Sequence, residues 1–317
     1  MDARSLVIAN PAAGDGRCAR KLSELRAALD SAGVPYELCL TQSKGHAEVL
    51  VLDAVKGGKF SSVVIAGGDG TINESVQGLA GTDISLGVIP LGTGNDFVKM
   101  LNLPAGIPAQ VDVALKGRVR SFDVGRLNER YFSTVVGIGF DAAVNQKHYD
   151  IKWLSGIPSY IMAIVLTMFS YTPKYMEVEI SGPDGTPPDS FARDIHILTI
   201  GNGHTCGGGF IFTPGASCED GELDLSVLEP ITWLQLLWHL PKIFTGSLQT
   251  KAPHLASLRR FAKLKVVSIE PLPVHVDGEL YRTDSLEHGI EVVPGAIKVM
   301  TPPVGIELTA PLGPTSP

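Results

Sequence analysis

The sequence predicts an α/β protein with two domains, an open parallel α/β domain followed by a mostly antiparallel β-sandwich. Its 317 residues, 44% of them hydrophobic, are enough to build more than one core. Near residue 120 the pattern changes from apolar strands alternating with helical segments to strands that follow one another with turn signals between them. We therefore place the first domain at 1–121 and the second at 122–295.

Three strand-like runs of the first domain each lead into a loop of small residues. The runs 5–9, 61–66 and 85–89 lead into Asn10-Pro11, Gly67-Gly68-Asp69-Gly70-Thr71 and Pro90-Leu91-Gly92-Thr93-Gly94-Asn95-Asp96-Phe97, respectively. Helical patterns are found at 19–32, 46–56 and 72–79. Loops at the carboxyl ends of parallel strands meet at one edge of the sheet, where ligands bind. We therefore expect the three loops to face one crevice.

The second domain contains strand-like runs at 130–137, 174–180, 194–200, 221–228 and 263–270. The Gly- and Pro-rich segment 181–190 is typical of a hairpin tip, and helices are expected at 157–170 and 232–244. The stretch 153–173 has no charged residue, but its uninterrupted apolar run is only 161–169. A membrane span needs about 20 apolar residues. We therefore expect a core helix there, with the wall of an acyl-chain pocket as the alternative.

The loop at 67–71 combines glycines with a single carboxylate. A strand, a glycine turn and a helix start, in that order, present backbone N–H groups to a phosphate. Asp69 would repel that phosphate unless a cation or a transferable proton lay between them. A loop that only held phosphate would bind it better without the carboxylate, so this loop indicates chemistry on the phosphate.

Several other signatures are missing from the sequence. It contains no G-x-x-x-x-G-K-[ST], G-x-G-x-x-G, H-E-x-x-H or G-x-S-x-G motif. Cys18, Cys39, Cys206 and Cys218 have no C-x-x-C spacing, so we expect free thiols in a reducing compartment. The first residues do not have the pattern of a signal peptide, which favours the cytoplasm. The net charge is −7, and we expect no nucleic-acid partner.

The order of these motifs resembles the diacylglycerol kinase catalytic-domain family. The resemblance rests on Asn10-Pro11, the glycine loop, the 90–97 loop, the 212–216 segment leading to Asp220-Gly221-Glu222, and Val276-Asp277-Gly278-Glu279. It covers about residues 5–300 and is strongest for the soluble bacterial lipid kinases, with sphingosine and ceramide kinases as more distant relatives. It also implies that a final strand, within 296–312, returns to complete the first domain.

The resemblance implies a role for each motif. Nucleotide would be bound by Asn10, Thr41, Gly67, Gly68, Asp69, Gly70, Thr71, Ile72, Asn73 and Thr93. Asp69 and Asp96 would work with the Mg²⁺ that accompanies ATP, directly or through water, although Asp96 is also a good helix N-cap. Glu279 would accept the proton of the lipid hydroxyl, with Asp277 supporting it.

The resemblance also implies a structural Mg²⁺ at the turn that precedes the 221–228 run. Asp220 would contribute its carboxylate, and Ser217 and Glu222 their backbone carbonyls. A plain Asp-Gly turn without a cation is the alternative, because such turns are very common.

The implied function is that of an ATP-dependent lipid kinase, with diacylglycerol as the expected substrate and phosphatidic acid as the product. Phosphatidylglycerol, a sphingoid base or ceramide are alternative substrates. A soluble-substrate kinase such as an NAD kinase, and a non-catalytic lipid- or nucleotide-binding regulator on the same fold, are alternative functions. The expected partners are ATP, a membrane lipid and the inner face of the membrane, with a homodimer as a further possibility.

One segment of this acidic chain is basic. Residues 230–269 contain no Asp or Glu but six basic residues, Lys242, Lys251, Arg259, Arg260, Lys263 and Lys265. Trp233 and Trp238 lie in the apolar helical pattern of the same segment, and such aromatic residues favour the headgroup level of a bilayer. We therefore predict that 230–269 faces the membrane, against the alternative of a buried helix followed by a solvated basic loop.

Overall fold

A computed structural model describes residues 4–151, 156–182 and 189–303 of the chain. These residues form two compact units. Unit 1 runs to Ser121 and takes up the chain again at Ile297, and unit 2 runs from Phe122 to Ala296. Two predicted features lie outside the described residues in part: 304–312 of the returning segment and 183–188 of the hairpin tip.

The secondary structure alternates between strands and helices at first and is dominated by strands later. In chain order the elements are β1 (Ser5–Ala9), α1 (Ala13–Ala32), β2 (Tyr36–Leu40), α2 (His46–Gly57), β3 (Ser62–Gly67), α3 (Asp69–Leu79), β4 (Ser85–Pro90), α4 (Asp96–Lys99), α5 (Ile107–Lys116), β5 (Arg118–Leu127), β6 (Arg130–Phe132), β7 (Val135–Gly139), α6 (Phe140–Asp150), α7 (Gly156–Met168), β8 (Lys174–Ser181), β9 (Asp189–Ile195), β10 (Ile197–Gly201), β11 (Leu223–Leu228), α8 (Trp233–Phe244), α9 (Leu248–Lys251), β12 (Ala256–Phe261), β13 (Lys263–Ser268), β14 (Val274–Val276), β15 (Glu279–Leu280) and β16 (Glu287–Thr301).

Unit 1 contains a parallel sheet in the order β2-β1-β3-β4-β16. Its central strands β1 and β3 are buried along their whole length, which explains their continuous apolar runs in the sequence. On one face Val7 and Val64 pack against Leu25 of α1 and Val111 of α5. The last strand enters the sheet through Val299, which pairs with Leu86 of β4. Parallel strands end at one edge of the sheet, so the predicted loops share an edge.

The structure corrects two boundaries in unit 1. Helix α3 begins at Asp69, so Asp69 to Thr71 form the first turn of a helix and not the loop that the glycines suggested. The first turn of α1 is irregular, because Gly14, Asp15 and Gly16 have left-handed backbone conformations. Regular helix therefore follows Gly16, close to the predicted start at residue 19.

Unit 2 is an antiparallel β-sandwich, which confirms the predicted fold class. One sheet has the order β12-β11-β10-β7-β14-β15 and the other contains the sequence β9-β8-β13-β16. Alternating residues of the first sheet point to different cores: Leu198 of β10 packs between the sheets, whereas Ile197 packs against α6, α7 and α8. This sheet is therefore covered on both faces, by the second sheet and by helices.

The basic segment of unit 2 differs from the alternative of a solvated basic loop. Its arginines and two of its lysines lie on strands β12 and β13, not on a loop. Helix α8 begins as predicted, with Thr232 and Gln235 forming a capping box. Helix α6 was not predicted. All four cysteines are free thiols, as predicted. Among the described residues no helix is long and apolar enough to cross a membrane.

Candidate active site

The loops that follow β1, β3 and β4 are joined to one another in unit 1. The Asn10 side chain donates to the Thr71 hydroxyl over 2.9 Å. The carbonyl of Gly67 accepts the N–H groups of Leu91 and Gly92 at 2.9 and 3.1 Å. The three loops that the sequence placed at one edge of the sheet are thus in direct contact.

Two glycines bring the backbones of these loops against each other. A Cβ atom on Gly92 would lie 2.4 Å from the Cα atom of Gly68, closer than any real contact. No other residue fits at Gly92 without separating the loops. The result is a cradle of main chain at the start of α3, where the helix dipole favours an anion.

Asp69 and Asp96 lie on adjacent loops at this cradle. The Asp69 carboxylate accepts the N–H of Phe97 over 3.2 Å, which ties it to the first turn of α4. Asp96 is buried, and its carboxylate pairs with Lys99 Nζ at 2.6 Å. Asp96 is not the N-cap that sequence reasoning left open, because the cap position is occupied by Asn95. Asp69 is therefore bonded to the backbone of the residue that follows Asp96.

The remaining predicted nucleotide residues have different surroundings. Thr41 continues β2 beside β1, with its N–H donating to Ala9 over 2.9 Å, and Thr93 is exposed on the 90–97 loop. Ile72 and Asn73 are buried in α3. The N–H groups of Thr71 and Ile72 both donate to the carbonyl of Gly68. Ile72 therefore supports the cradle from the core of unit 1.

Glu74 is a residue of this region that the sequence analysis missed. Its carboxylate accepts the N–H of Gly45 at 2.7 Å and that of Ala47 at 3.1 Å. It therefore caps the start of α2 from the facing helix α3 and holds the loop after Thr41 in place. The signal was weak, since a single glutamate on a helix is normally a solvated residue.

In unit 2, Asp277 is fully engaged by the loop that precedes β7. Its two oxygens accept five hydrogen bonds of 2.6–2.9 Å, from the backbone and hydroxyl of Ser133, the backbone and hydroxyl of Thr134, and the N–H of Val135. The residue is buried and has a left-handed backbone, with φ of 48°. A carboxylate with these bonds has little capacity left to bind a metal ion. Asp277 therefore holds the turn that presents Glu279.

Helix α6 contacts the same turn through three residues that sequence reasoning missed. Asp141, Asn145 and Tyr149 are spaced four residues apart and so lie on one face of the helix. Asn145 donates to the carbonyl of Gly278. Tyr149 is hydrogen-bonded to Glu279, and burial followed by the charge of Glu279 raises the pKa of Tyr149 to about 12. The phenol is therefore protonated at neutral pH and donates to the carboxylate.

Asp141 reaches the turn through His275. The Asp141 Oδ2 atom lies 3.4 Å from His275 Nε2, and His275 Nδ1 accepts the N–H of Gly278 over 3.3 Å. A ring nitrogen that accepts is unprotonated, so in the neutral ring the proton is on Nε2 and faces Asp141. Gly137 makes room for this pair, because a Cβ atom there would lie 2.1 Å from Asp141 Oδ2.

The predicted structural metal turn contains an arginine. The guanidinium of Arg260 lies 3.6 Å from Asp220, 3.4 Å from Glu222 and 3.6 Å from the buried Asp224. The other Asp220 oxygen, Oδ1, accepts the N–H of Glu222 over 3.2 Å, which closes the turn. Burial, opposed by Arg260, raises the pKa of Asp224 to about 6. Within the described ranges no group of three or more His, Cys, Asp or Glu residues is arranged to hold a metal ion.

Two family models match consecutive parts of the chain. The diacylglycerol kinase catalytic domain matches residues 4–127, and the YegS C-terminal NAD kinase beta sandwich-like domain matches residues 134–301. Both matches follow the division into a parallel α/β unit and a β-sandwich.

Individual relatives match over nearly the whole length. A diacylglycerol kinase of Mycobacterium tuberculosis (strain CDC 1551 / Oshkosh) is 31% identical over 93% of this chain and 94% of its own. A Pectobacterium atrosepticum protein named "Probable lipid kinase YegS-like" is 30% identical over 94% of this chain and 95% of its own.

Solved structures from Bacillus anthracis str. Sterne have the same fold. A crystal structure of a diacylglycerol kinase superposes with a TM-score of 0.70 at 22% identity, covering 95% of this chain and 97% of that one. A second crystal structure from this organism gives a TM-score of 0.73 at 25% identity, with the same coverage. Motifs, fold and matches over the full length agree, and the chain belongs to the diacylglycerol kinase catalytic-domain family.

Proposed function

We propose that the protein is an ATP-dependent kinase that transfers the γ-phosphoryl group of ATP to a lipid hydroxyl, with diacylglycerol as substrate and phosphatidic acid as product. The observation that carries the proposal is the cradle of unit 1, in which two glycine loops meet backbone to backbone beside Asp69 and Asp96. Glycine main chain at a helix start binds phosphate, and the carboxylates add the capacity for chemistry. The substrate class follows the names of the relatives.

The nucleotide would be bound by the loops of unit 1. The start of α3 directs backbone N–H groups and the helix dipole toward the phosphates. Asn10 is fixed by its bond to Thr71 and orients the first loop, whereas Thr93 is exposed and accessible to a ligand. Thr41 and the loop held by Glu74 would form another part of the rim. Phosphoryl transfer needs mainly such positioning and charge neutralisation.

The donor set at Asp69 and Asp96 fits a magnesium ion that arrives with ATP. Carboxylate oxygens are the ligands that this hard cation prefers, and the Asp69 carboxylate accepts the N–H of Phe97, the residue after Asp96. Lys99 is paired with Asp96 and would have to move aside for this carboxylate to contact the ion directly. When bound, the ion neutralises negative charge on the transferred phosphoryl group. The two carboxylates would hold it directly or through water.

A second, structural magnesium does not fit the Asp220 turn as the structure presents it. The guanidinium of Arg260 already lies against the carboxylates of Asp220, Glu222 and Asp224. An additional cation within this cluster would be repelled by the arginine. We therefore assign the neutralising charge of this turn to Arg260 and no role to a metal ion there.

Glu279 would act as the general base. It takes the proton of the lipid hydroxyl while the hydroxyl oxygen attacks the γ-phosphorus, and ADP leaves with the electrons of the broken phosphorus–oxygen bond. Asp277 fixes the turn from one side through its five hydrogen bonds. Tyr149 and Asn145 contact it from helix α6.

A lipid panel with labelled ATP tests this function. The acceptors are diacylglycerol, phosphatidylglycerol, sphingosine and ceramide in mixed micelles, with NAD as a soluble acceptor. We expect label in phosphatidic acid, and its loss when Mg²⁺ is chelated. Label in another lipid would change the substrate, label in NAD would replace the lipid kinase by a soluble-substrate kinase, and label in none of the acceptors would favour a non-catalytic binding protein.

A further inference from the structure

Helices α7 and α8 of unit 2 expose large apolar side chains to solvent. On α7 and just beyond its end these are Ile161, Val165 and Phe169, which are four residues apart and so share one face. On α8 they include Trp233, Leu234 and Trp238. Phe169 is 73% exposed and Trp238 is 77% exposed. We call these six residues the α7–α8 surface.

The two helices present a single surface. The rings of Phe169 and Trp233 lie 6.3 Å apart, centroid to centroid, which joins the exposed faces of α7 and α8. The opposite faces pack into one core, with Ile164 of α7 and Leu236 of α8 both buried there. Both helices are therefore anchored to the sheet by one side, and the other side is exposed by the fold and not by fraying. Isolated exposed apolar residues are normal, but a contiguous group of this kind marks an interaction site.

The charge around the surface is compatible with an anionic bilayer. No acidic residue occurs in 153–173 or in 230–269, the segments that contain the two helices. Lys242 in the last turn of α8 and Lys251 at the end of α9 add positive charge to this part of the chain. Tryptophan, with its large amphipathic ring, prefers the headgroup level of a membrane.

The strands of the basic segment do not contribute in the way the sequence suggested. Arg259 is paired with Asp189, Arg260 faces the Asp220 cluster, and Lys263 and Lys265 lie beside Glu291 and Glu287. Their charges are thus largely balanced by neighbouring strands. These four residues therefore carry less unpaired charge than the sequence suggested, whereas the apolar side chains of α7 and α8 are exposed.

We propose that the α7–α8 surface lies in the headgroup layer of a lipid bilayer and inserts its aromatic side chains there. The proposal rests on the proposed function, because a kinase whose acceptor is a membrane lipid must meet that lipid at the bilayer. A helix with an apolar face and no acidic residues binds in this way, parallel to the interface. Burial of apolar side chains would drive most of the insertion, and salt does not screen it. Raising the salt concentration from about 0.1 to 0.5 M should therefore weaken vesicle binding only a few-fold.

The test is a pair of matched double variants. Leu234→Ser with Trp238→Ser removes two exposed side chains of α8, and Val49→Ser with Leu52→Ser removes two exposed side chains of α2 in unit 1. Binding to vesicles of phosphatidylcholine with phosphatidylglycerol is measured by co-sedimentation. We expect the α8 variant to lose at least about tenfold in partition coefficient and the α2 variant to bind like wild type. In wild type, brominated lipids should quench tryptophan fluorescence.

A kinase assay separates this proposal from the proposed function. The α8 variant should phosphorylate monomeric dioctanoylglycerol like wild type but long-chain diacylglycerol in vesicles poorly. If wild type phosphorylates neither lipid, the proposed function fails, and the vesicle measurements still decide the docking proposal. Equal vesicle binding by wild type and the α8 variant would overturn it. So would a wild-type dimer that does not bind vesicles and that the α8 substitutions convert to a monomer, since a second copy would then cover the surface.

Discussion

Asp69 and Asp277 are both carboxylates in glycine-rich turns, and their surroundings give them different tasks. Asp277 accepts five hydrogen bonds and is buried, so its charge is used to fix the backbone of the 133–135 loop. Asp69 is only partly buried, and it accepts the backbone N–H of Phe97 at the edge of a phosphate cradle. A carboxylate beside a site that favours an anion is best explained by chemistry.

Asp69→Asn should abolish phosphoryl transfer and leave the fold intact. The amide oxygen can still accept the N–H of Phe97, so only the charge is lost. We expect turnover to fall on the order of 10²-fold or more, with an unchanged melting temperature. Initial rates with labelled ATP check this. Near-native turnover in a soluble variant would show that Asp69 takes no part in the reaction.

Tyr149→Phe should lower turnover because it removes the phenol that donates to Glu279. The effect is indirect, through the position of the carboxylate, so a several-fold loss in kcat is expected with KM for ATP unchanged. Tyr175→Phe is the control, since this tyrosine is an exposed residue on β8. A change in KM for ATP, without a change in kcat, would contradict a positioning role.

His196 should make the protein sensitive to acid. Burial, opposed by the charge of Asp141, lowers the pKa of His196 from 6.5 to about 4. The unfolded chain therefore binds a proton between these values while the folded chain does not. Stability is complete above pH 6.5 and falls as the pH drops toward 4, by up to about 3 kcal/mol from this group.

His196→Phe should flatten that dependence. Neither ring nitrogen of His196 has a hydrogen-bond partner among the described residues, and the ring packs 4.9 Å from that of Phe140. A phenyl ring suits this site, so the variant should unfold at higher denaturant concentration than wild type at pH 5. Exposed His254, changed to Gln, provides the control. Parallel loss of stability in wild type and His196→Phe between pH 7 and 5 would place the acid sensitivity elsewhere.

At the scale of elements, the turn before β11 and the strand β12 form one electrostatic unit. β11 and β12 pair in antiparallel register, with Asp224 opposite Arg260. This register puts the guanidinium near three carboxylates that the turn 220–224 gathers. Asp224 is only 3% exposed, and an isolated buried carboxylate is costly unless a cation is near. The pairing of two strands thus places a positive charge beside these carboxylates.

Arg260→Ala should therefore destabilise unit 2, whereas chelators should not affect wild type. Removing the guanidinium leaves Asp224 buried without its cation, and we expect the melting temperature to fall by roughly 2–4 °C or more. Thermal melts with and without EDTA measure both effects. Asp220→Ala should have a smaller effect, because this residue is exposed. A lower melting temperature of wild type in EDTA, restored by Mg²⁺, would instead support the structural ion.

At the scale of the whole molecule, unit 1 is built from two separate segments of the chain, whereas unit 2 is one continuous segment. Strand β16 begins in unit 2, where residues 287–291 pair with β13, and ends in unit 1, where Lys298 and Val299 pair with β4. Ile297 and Val299 are fully buried in unit 1. The parallel sheet of the first unit is thus completed by Lys298 and Val299, which follow their partners Ser85 and Leu86 of β4 by 213 positions.

Val299→Asp should disrupt unit 1 although it lies far from the glycine loops in sequence. A charge at a fully buried strand position costs several kcal/mol, enough to unfold a marginally stable unit. Lys298→Ser on the same strand breaks only an exposed ion pair with Asp83 and should cost about 1 kcal/mol or less. Thermal melts and nucleotide binding compare the two variants. Equal stability of both would mean that the last strand is dispensable.

Local patterns made the fold class and the loops predictable. Continuous apolar runs such as β3 reflect the burial of a strand on both faces of the sheet. The glycines that follow these runs reflect the close approach of two backbones. Each of these requirements acts on a short stretch of sequence. The helices 157–170 and 232–244 were predicted from their apolar runs. Helix α6 was missed because its second half, 145–150, is mostly polar and gives no clear apolar face, and β12 was missed because its two arginines suggested a solvated loop.

The sequence by itself determined the two-domain class, the family and the candidate residues Asn10, Asp69, Asp96 and Glu279. These follow from motif spacing and hydrophobic periodicity, which are properties of the sequence alone. The tertiary structure decided what those residues contact. Asp277 meets a loop 142–144 positions away, and Tyr149 meets Glu279 from an unpredicted helix. Arg260 faces Asp224 only through strand register. Contacts between residues so distant in sequence are set by side-chain packing and strand pairing, and no local sequence pattern predicts them.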